Sequence, residues 1–256
     1  MLVLSLFPGV GLLDMAFEEQ GFCVVRGPDL LWGGDIHRFH PPAGVFDGVI
    51  GGPPCQAFSR LRHLVHAQGR ETAPDLIPEF VRCVDEAQPV WWLMENVPEC
   101  PGVAIEGYRV VRQLVQDAWV GGETRRLRAF WFGTRDGRML VIDWPALHRP
   151  DPEPTVLASG GTNPTPVAIG GSGKVKRTKR AIETRKGASA SGYNTAAYLH
   201  QAIAHQGLPD GVLDHAPFTV AGKIKCIGNG VPLAMGRAVA KAVQRAMSPI
   251  SPPMAE

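Results

Sequence analysis

The sequence predicts an α/β protein built on a largely parallel sheet, with its functional groups gathered at one edge of that sheet. Three observations lead there. Short, continuous apolar runs recur along the first half of the chain, helix-like stretches separate them, and glycines, carboxylates and one cysteine follow those runs. Strands interleaved with helices indicate such a sheet, whose ligands bind beyond the carboxyl ends of the strands.

Residues 2–6 form an apolar run suited to a buried strand, and residues 12–20 suit the helix after it, with a glycine turn between them. Residues 23–26 read as the next strand and 45–51 as another. Residues 90–94 (Val-Trp-Trp-Leu-Met) read as a buried strand that ends at Glu95, and residues 73–87 supply the helix before it. Residues 108–115 alternate as a strand does, and 127–132 (Leu-Arg-Ala-Phe-Trp-Phe) add one more. Over residues 145–192 the chain turns rich in Pro, Gly, Ser and Thr, including Gly170-Gly-Ser-Gly173, which predicts a long loop or linker. Helices over 194–205 and 233–247 follow, and no internal repeat is visible.

Composition bounds the function. With 256 residues, 45% of them hydrophobic, the chain can bury a sizeable core in one domain with a smaller appendage. A formal charge of +2 does not announce nucleic acid, but Lys174, Lys176, Arg177, Lys179, Arg180, Arg185 and Lys186 cluster with Glu183 as the only acid among them. Such a run is either a solvated surface or a phosphate-contacting one. The five cysteines are scattered without a Cys-x-x-Cys pair, which argues for a reducing compartment and against structural zinc. The apolar N-terminus lacks a basic leader and contains Pro8, two glycines and Asp14, so it reads as a strand and helix rather than a secretory signal. No other segment approaches the roughly 18 apolar residues of a membrane span.

The segment Gly51-Gly-Pro-Pro-Cys-Gln-Ala-Phe-Ser59 sets Cys55 behind a strand, in a loop that two prolines stiffen. A nucleophile belongs at such a strand end, and a free thiol is already a few per cent thiolate at neutral pH. By itself a lone cysteine is more often an inert buried residue. Gly9 and Gly11 would let backbone approach a ligand. A nicotinamide site prefers a further glycine three positions on, where this chain has Asp14. Asp29 and Asp35 read either as ligand carboxylates or as helix caps and turn residues.

A larger ordered set surrounds Cys55: Phe7-Pro-Gly-Val-Gly11, Gly34-Asp35-Ile36, Pro53-Pro-Cys-Gln56, Glu95-Asn96-Val97-Pro98, Arg126-Leu-Arg128 with Phe130 and Gly133 behind it, and Ile227-Gly-Asn-Gly-Val-Pro232. In this order, over residues 1–245, the chain resembles the cytosine-5 DNA methyltransferases, in a compact form with a short target-recognition region. The resemblance implies a Rossmann-like S-adenosylmethionine-dependent methyltransferase sheet with helices on both faces. It divides the chain into a catalytic and cofactor-binding domain over 1–148, a short target-recognition region over 149–215, and a C-terminal segment over 216–256 that returns to the catalytic domain.

The implied activity is methyl transfer from S-adenosylmethionine to carbon 5 of a flipped cytosine in double-stranded DNA, leaving S-adenosylhomocysteine and using no metal. Cys55 would add to carbon 6, Glu95 would serve N3, Arg128 the base oxygen, and Arg126 would steady the carboxylate and phosphate. For the cofactor, the resemblance implies Phe7 against the adenine, Gly9, Val10 and Gly11 near the methionine part, and Asp29 on the ribose. It further implies Asp35 on the adenine amino group with Ile36 on its ring, Pro54 beside the cofactor and Asn229 at its methionine end. Gln56, Ser59, Arg60 and Arg62 would lie in the loop that closes over DNA, joined by Lys174, Lys176 and Arg177 on the phosphates. The setting is cytoplasmic, in a bacterial or virus-infected cell, with no membrane partner; a separate cognate restriction endonuclease and a solitary role both fit.

The chain departs from the family pattern at three places. Thr124 stands where the family has Gln before the arginine pair, with Glu123 and Arg125 beside it; Leu12 replaces a third motif glycine; and the recognition region is short. Fewer reading side chains imply a short target, about four base pairs or fewer. Two rivals differ in chemistry or substrate. A tRNA cytosine methyltransferase shares the Pro-Cys-Gln and Glu-Asn-Val segments, but its expected Cys-Phe-Thr is absent, Phe218 and Thr219 following Pro217. A noncatalytic DNA- or cofactor-binding protein would not need Cys55, Glu95 and both arginines.

Overall fold

The structure, a computed structural model, describes residues 1–54, 74–145, 152–156 and 196–248. Cys55, Gln56, Ser59, Arg60, Arg62, Lys174, Lys176 and Arg177 lie outside the described residues, as does most of the expected linker.

Among the described residues six strands, β1 (Leu2–Leu6), β2 (Cys23–Arg26), β3 (Gly48–Gly51), β4 (Trp91–Asn96), β5 (Arg109–Gln116) and β6 (Leu127–Thr134), form one sheet in the order β2-β1-β3-β4-β6-β5. The pairs β1–β2, β1–β3 and β3–β4 are parallel, and β4–β6 is antiparallel. The α-helices among the described residues are α1 (Leu12–Glu19), α2 (Ile77–Ala87), α3 (Ala196–His205), α4 (Val220–Asn229) and α5 (Leu233–Met247). This is the expected α/β class.

Two tryptophans explain how the sheet is covered. Trp91 and Trp92 are fully buried, and as neighbours on a strand they point to opposite faces. Trp91 packs against Phe17 of α1, Phe22 and Phe132, whereas Trp92 packs against Phe80 of α2 and Tyr108. The helices α1 and α2 thus cover opposite faces. Each indole lies over a glycine directly across the ladder, Gly48 opposite Trp91 and Gly133 opposite Trp92. A methyl carbon on either glycine would sit 2.2 or 2.3 Å from the ring, so no larger residue fits while the tryptophans stay in place.

Several boundaries differ from the sequence expectation. The third strand begins at Gly48 rather than 45, because Gly44 takes a positive φ and Val45 is exposed, while Asp47 uses its backbone to join Leu2 and residues 90–91. The second helix begins at Ile77 rather than 73. Asp75 accepts the Ile77 N–H at 2.9 Å, and Pro78 suits a first turn, where its missing N–H has no helical partner to lose. Helix α4 was not expected at all; Thr219 caps it by accepting the Gly222 N–H, and Ile224 and Ile227 face inward.

The described residues fall into two compact units. One draws on Met1–Val115, Leu127–Trp144 and Gly236–Glu256, the other on Gln116–Arg126 and Pro145–Met235. In the first unit α5 packs on α1: Gly236 meets Ala16 so closely that a Cβ would come to 2.8 Å, and Arg237 forms a two-pronged ion pair with Glu19.

Candidate active site

The parallel register puts Leu6, Gly51 and Met94 side by side. The segments that follow them, residues 7–11, 52–54 and 95–98, therefore emerge together at the carboxyl edge of the sheet, where an α/β protein binds its ligand.

The first segment is a tight turn. Phe7, Gly9 and Gly11 all have positive φ (56°, 57° and 81°), and the Gly11 N–H closes onto the Pro8 carbonyl at 2.8 Å. For Phe7 this is a strained conformation that its surroundings must hold, and its ring packs partly buried against the core. Gly9 is gripped on both sides: its N–H donates to Asp29 Oδ2 at 2.8 Å, and its carbonyl accepts from Trp32 Nε1 at 2.7 Å. Asp29 Oδ1 meanwhile caps a single 3-10 turn over Leu30–Trp32. Val10 lies between the two glycines.

Asp14 occupies the place where a dinucleotide fold would want glycine. It is buried, bonded to Ser5 Oγ at 2.5 Å and to Arg26 Nε at 3.0 Å, and burial pushes its pKa above the ordinary aspartate value. Arg26 crosses so close to Gly11 that a Cβ there would come within 2.6 Å of the guanidinium. Glycine is required at position 11 by its positive φ, whereas the half-exposed Arg26 side chain can shift.

Asp35 caps a second 3-10 turn, Ile36–Arg38, through the His37 N–H at 3.0 Å, and Ile36 is buried in the core. The capping reading of Asp29 and Asp35 is therefore observed. It leaves each carboxylate with lone pairs for a ligand's hydroxyl or amino hydrogens.

Glu95 is the penultimate residue of β4 with its side chain nearly buried, and Arg128 Nε lies 2.7 Å from its Oε1. The ladder explains the meeting. Glu95 faces Phe130, so Arg128, two residues earlier on β6, is its diagonal neighbour on the same sheet face. The sequence reading gave Arg128 to the base oxygen; in the structure its Nε pairs with Glu95. Gly52 comes so near that a Cβ would be 3.0 Å from Glu95 Oε2. Asn96, not assigned a role from sequence, donates its side-chain amide to the Pro53 carbonyl at 3.2 Å and accepts the Val97 N–H at 2.8 Å. Pro54 follows as the last described residue before Cys55.

In the second unit Arg126 is almost fully buried and donates to the carbonyls of Val156 at 3.2 Å and Asn229 at 3.1 Å. Thr124 gives both its N–H and its hydroxyl to Asp117 Oδ2 at 2.8 Å, so the residue in the family's Gln position serves a buried carboxylate. Asn229 ends α4, where Gln206 donates to the Ile227 carbonyl at 2.8 Å.

A nucleoside cofactor of the expected kind fits these groups. The Gly9 backbone has open space where a side chain would stand, and Asp29 and Asp35 are acceptors matched to a ribose diol and an exocyclic amine. Among the described residues no group of three or more His, Cys, Asp or Glu could hold a metal ion, and no helix is long and apolar enough to cross a membrane.

Known proteins resemble this chain in sequence and in fold. The profile of the C-5 cytosine-specific DNA methylase family matches residues 33–207. The chain is 33% identical over 180 residues to the Type II methyltransferase M.NgoPII of Neisseria gonorrhoeae, covering 57% of this chain and 51% of that protein. It is 31% identical over 166 residues to the Type II methyltransferase M.FnuDI of Fusobacterium nucleatum, covering 56% and 46%. The chain thus spans about half the length of the curated relatives it matches. Among solved structures, a DNA modification methyltransferase encoded within an E. coli prophage superposes with a TM-score of 0.59 at 18% identity, covering 96% of this chain and 99% of that one. The S. pombe Dnmt2 methyltransferase gives 0.57 at 11% identity, covering 97% and 100%. At these identities the structural likeness concerns the fold.

Proposed function

The chain belongs to the C-5 cytosine-specific DNA methylase family, and on that premise we propose that it methylates carbon 5 of cytosine in double-stranded DNA, at a short sequence, with S-adenosylmethionine as donor. The observation that supports this most is the Glu95–Arg128 pair at the end of β4, beside the Pro53–Asn96 tie on the loop that leads to Cys55.

Carbon 5 of cytosine is a weak nucleophile while the ring stays conjugated. The Cys55 thiolate adds to carbon 6 and breaks that conjugation, forming a carbon–sulfur bond and sending an electron pair into the ring. Glu95 serves N3, and Arg128 donates to the base oxygen, as negative charge develops on the ring. S-adenosylmethionine, when bound, supplies the electrophilic methyl group. Loss of the carbon 5 proton to a base and departure of the Cys55 thiolate then restore the aromatic ring.

A stacked cytosine exposes neither face of carbon 6, so the base leaves the duplex for the pocket. Gln56, Ser59, Arg60 and Arg62 follow the nucleophile closely enough in sequence to hold the opened duplex, with Lys174, Lys176 and Arg177 on phosphates. In this proposal Phe7, Gly9, Val10, Gly11, Asp29, Asp35, Ile36 and Pro54 serve the cofactor.

Trapping tests the covalent step. DNA carrying 5-fluorocytosine has no carbon 5 proton to lose, so the adduct cannot eliminate. The parent protein with S-adenosylmethionine should form a denaturation-stable complex with such DNA, and Cys55→Ala should form none. A complex that forms equally with Cys55→Ala would contradict the assignment.

A further inference from the structure

Arg82 projects from α2 onto the segment that holds Asp35. Its Nε donates to Glu79 Oε2 at 2.8 Å and its Nη1 to Glu86 Oε1 at 2.7 Å. Positions 79, 82 and 86 share one helix face, so this charge arrangement is set by α2 itself. The remaining donors cross to another element: Nη2 reaches the Ile36 carbonyl at 2.8 Å, and Nη1 also reaches the Phe39 carbonyl at 3.1 Å.

These two carbonyls bracket the 3-10 turn that Asp35 caps. The segment is therefore fixed from two sides, by burial of Ile36 in the core and by Arg82 on its backbone. Two outer pairs join the same elements, His37 to Glu79 at 3.3 Å and His40 to Glu86 at 3.1 Å. A planar guanidinium can serve two carboxylates and two carbonyls at once; a lysine ammonium, with three donors on a flexible stem, cannot reproduce that fan.

We propose that Arg82 is a positioning residue for cofactor selection: by bonding the Ile36 and Phe39 carbonyls it holds Asp35 where that carboxylate distinguishes an adenine, which offers an amino group, from a purine that offers a carbonyl. This rests on the assignment of Asp35 to the adenine made above. Arg82 itself touches no cofactor atom in this account.

The test compares dissociation constants for S-adenosylhomocysteine and S-inosylhomocysteine, whose bases differ in that group and in the proton that N1 gains with the carbonyl. The parent should prefer the adenine form strongly, and Asp35→Ala should lose the preference. Arg82→Met should reduce it by about tenfold, the worth of one good hydrogen bond, and Arg82→Lys should restore part of it. Gly48→Ala, destabilised at a remote packing contact, should keep the full preference, which separates positioning from general loss of stability. If Arg82→Met does not fold, Arg82→Lys carries the test with an expected smaller loss. An unchanged preference in the Arg82 variants, with the preference lost in Asp35→Ala, would overturn the role of Arg82 alone. A preference retained in Asp35→Ala would overturn the underlying assignment.

Discussion

Asn96 donates its side-chain amide to the carbonyl of Pro53, so the strand that delivers Glu95 is tied to the loop that leads to Cys55. Both groups are buried, and the bond spans two neighbouring strand ends at the edge where the chemistry is proposed.

Replacing Asn96 by Asp should turn this attraction into repulsion between a carboxylate and a carbonyl oxygen, while the Val97 N–H keeps its acceptor. We expect a drop in kcat of about tenfold to a hundredfold with the KM for S-adenosylmethionine little changed, since one buried bond is worth about 1–3 kcal/mol. Steady-state methyl transfer, with circular dichroism as a check on folding, measures it.

Arg128 should matter through charge and fork geometry. Arg128→Gln removes the partner of Glu95 and a donor to the base, and should lower kcat by about 10² to 10³. Arg128→Lys should recover only part of that, because one ammonium cannot serve carboxylate and base as a guanidinium does. Single-turnover rates on short duplexes give the comparison.

The strand core was legible because buried parallel strands have a plain signature. Residues 2–6 are apolar throughout and form β1 as expected, and the Trp-Trp-Leu run forms β4. Helix α4 was missed because Gly222 and Gly228 weaken its propensity and the Ile-Gly-Asn-Gly segment drew attention as a motif. Its cap Thr219 and the spacing of Val220, Ile224 and Ile227 were the available signal. At the site, Glu95 and the arginine pair were legible from sequence, but which arginine meets Glu95 depends on the β4–β6 register, a tertiary fact. Arg82, Asn96 and Trp32 were invisible for the same reason, each bonding backbone brought close only by the fold.

The glycine partners of the tryptophans give a stability test. Gly48→Ala and Gly133→Ala each force a methyl group into an indole ring, and overpacking of this kind costs about 1–3 kcal/mol. Urea unfolding should show both variants less stable by about that amount, with larger effects if the indole must leave its rotamer.

Stability should also depend on pH at α2. Hydrogen bonds from Arg82 hold Glu79 and Glu86 below the ordinary glutamate pKa of 4.5. The unfolded chain therefore takes up protons first as pH falls, so this contribution is fully present above 4.5 and is lost as pH drops through the lowered folded values. A double variant, Glu79→Gln with Glu86→Gln, should melt a few degrees below the parent near neutral pH, the gap staying small because the pairs are partly exposed. The gap should close as the pH falls through the lowered folded values. A gap that widens in acid would contradict this.

The most direct test of the central claim is transfer of radiolabelled methyl from S-adenosylmethionine to unmethylated DNA and, in parallel, to unmodified tRNA, with the parent protein and Cys55→Ala. The account predicts label in DNA only, abolished by the substitution. Label in tRNA alone, or label in DNA that survives Cys55→Ala, would contradict it.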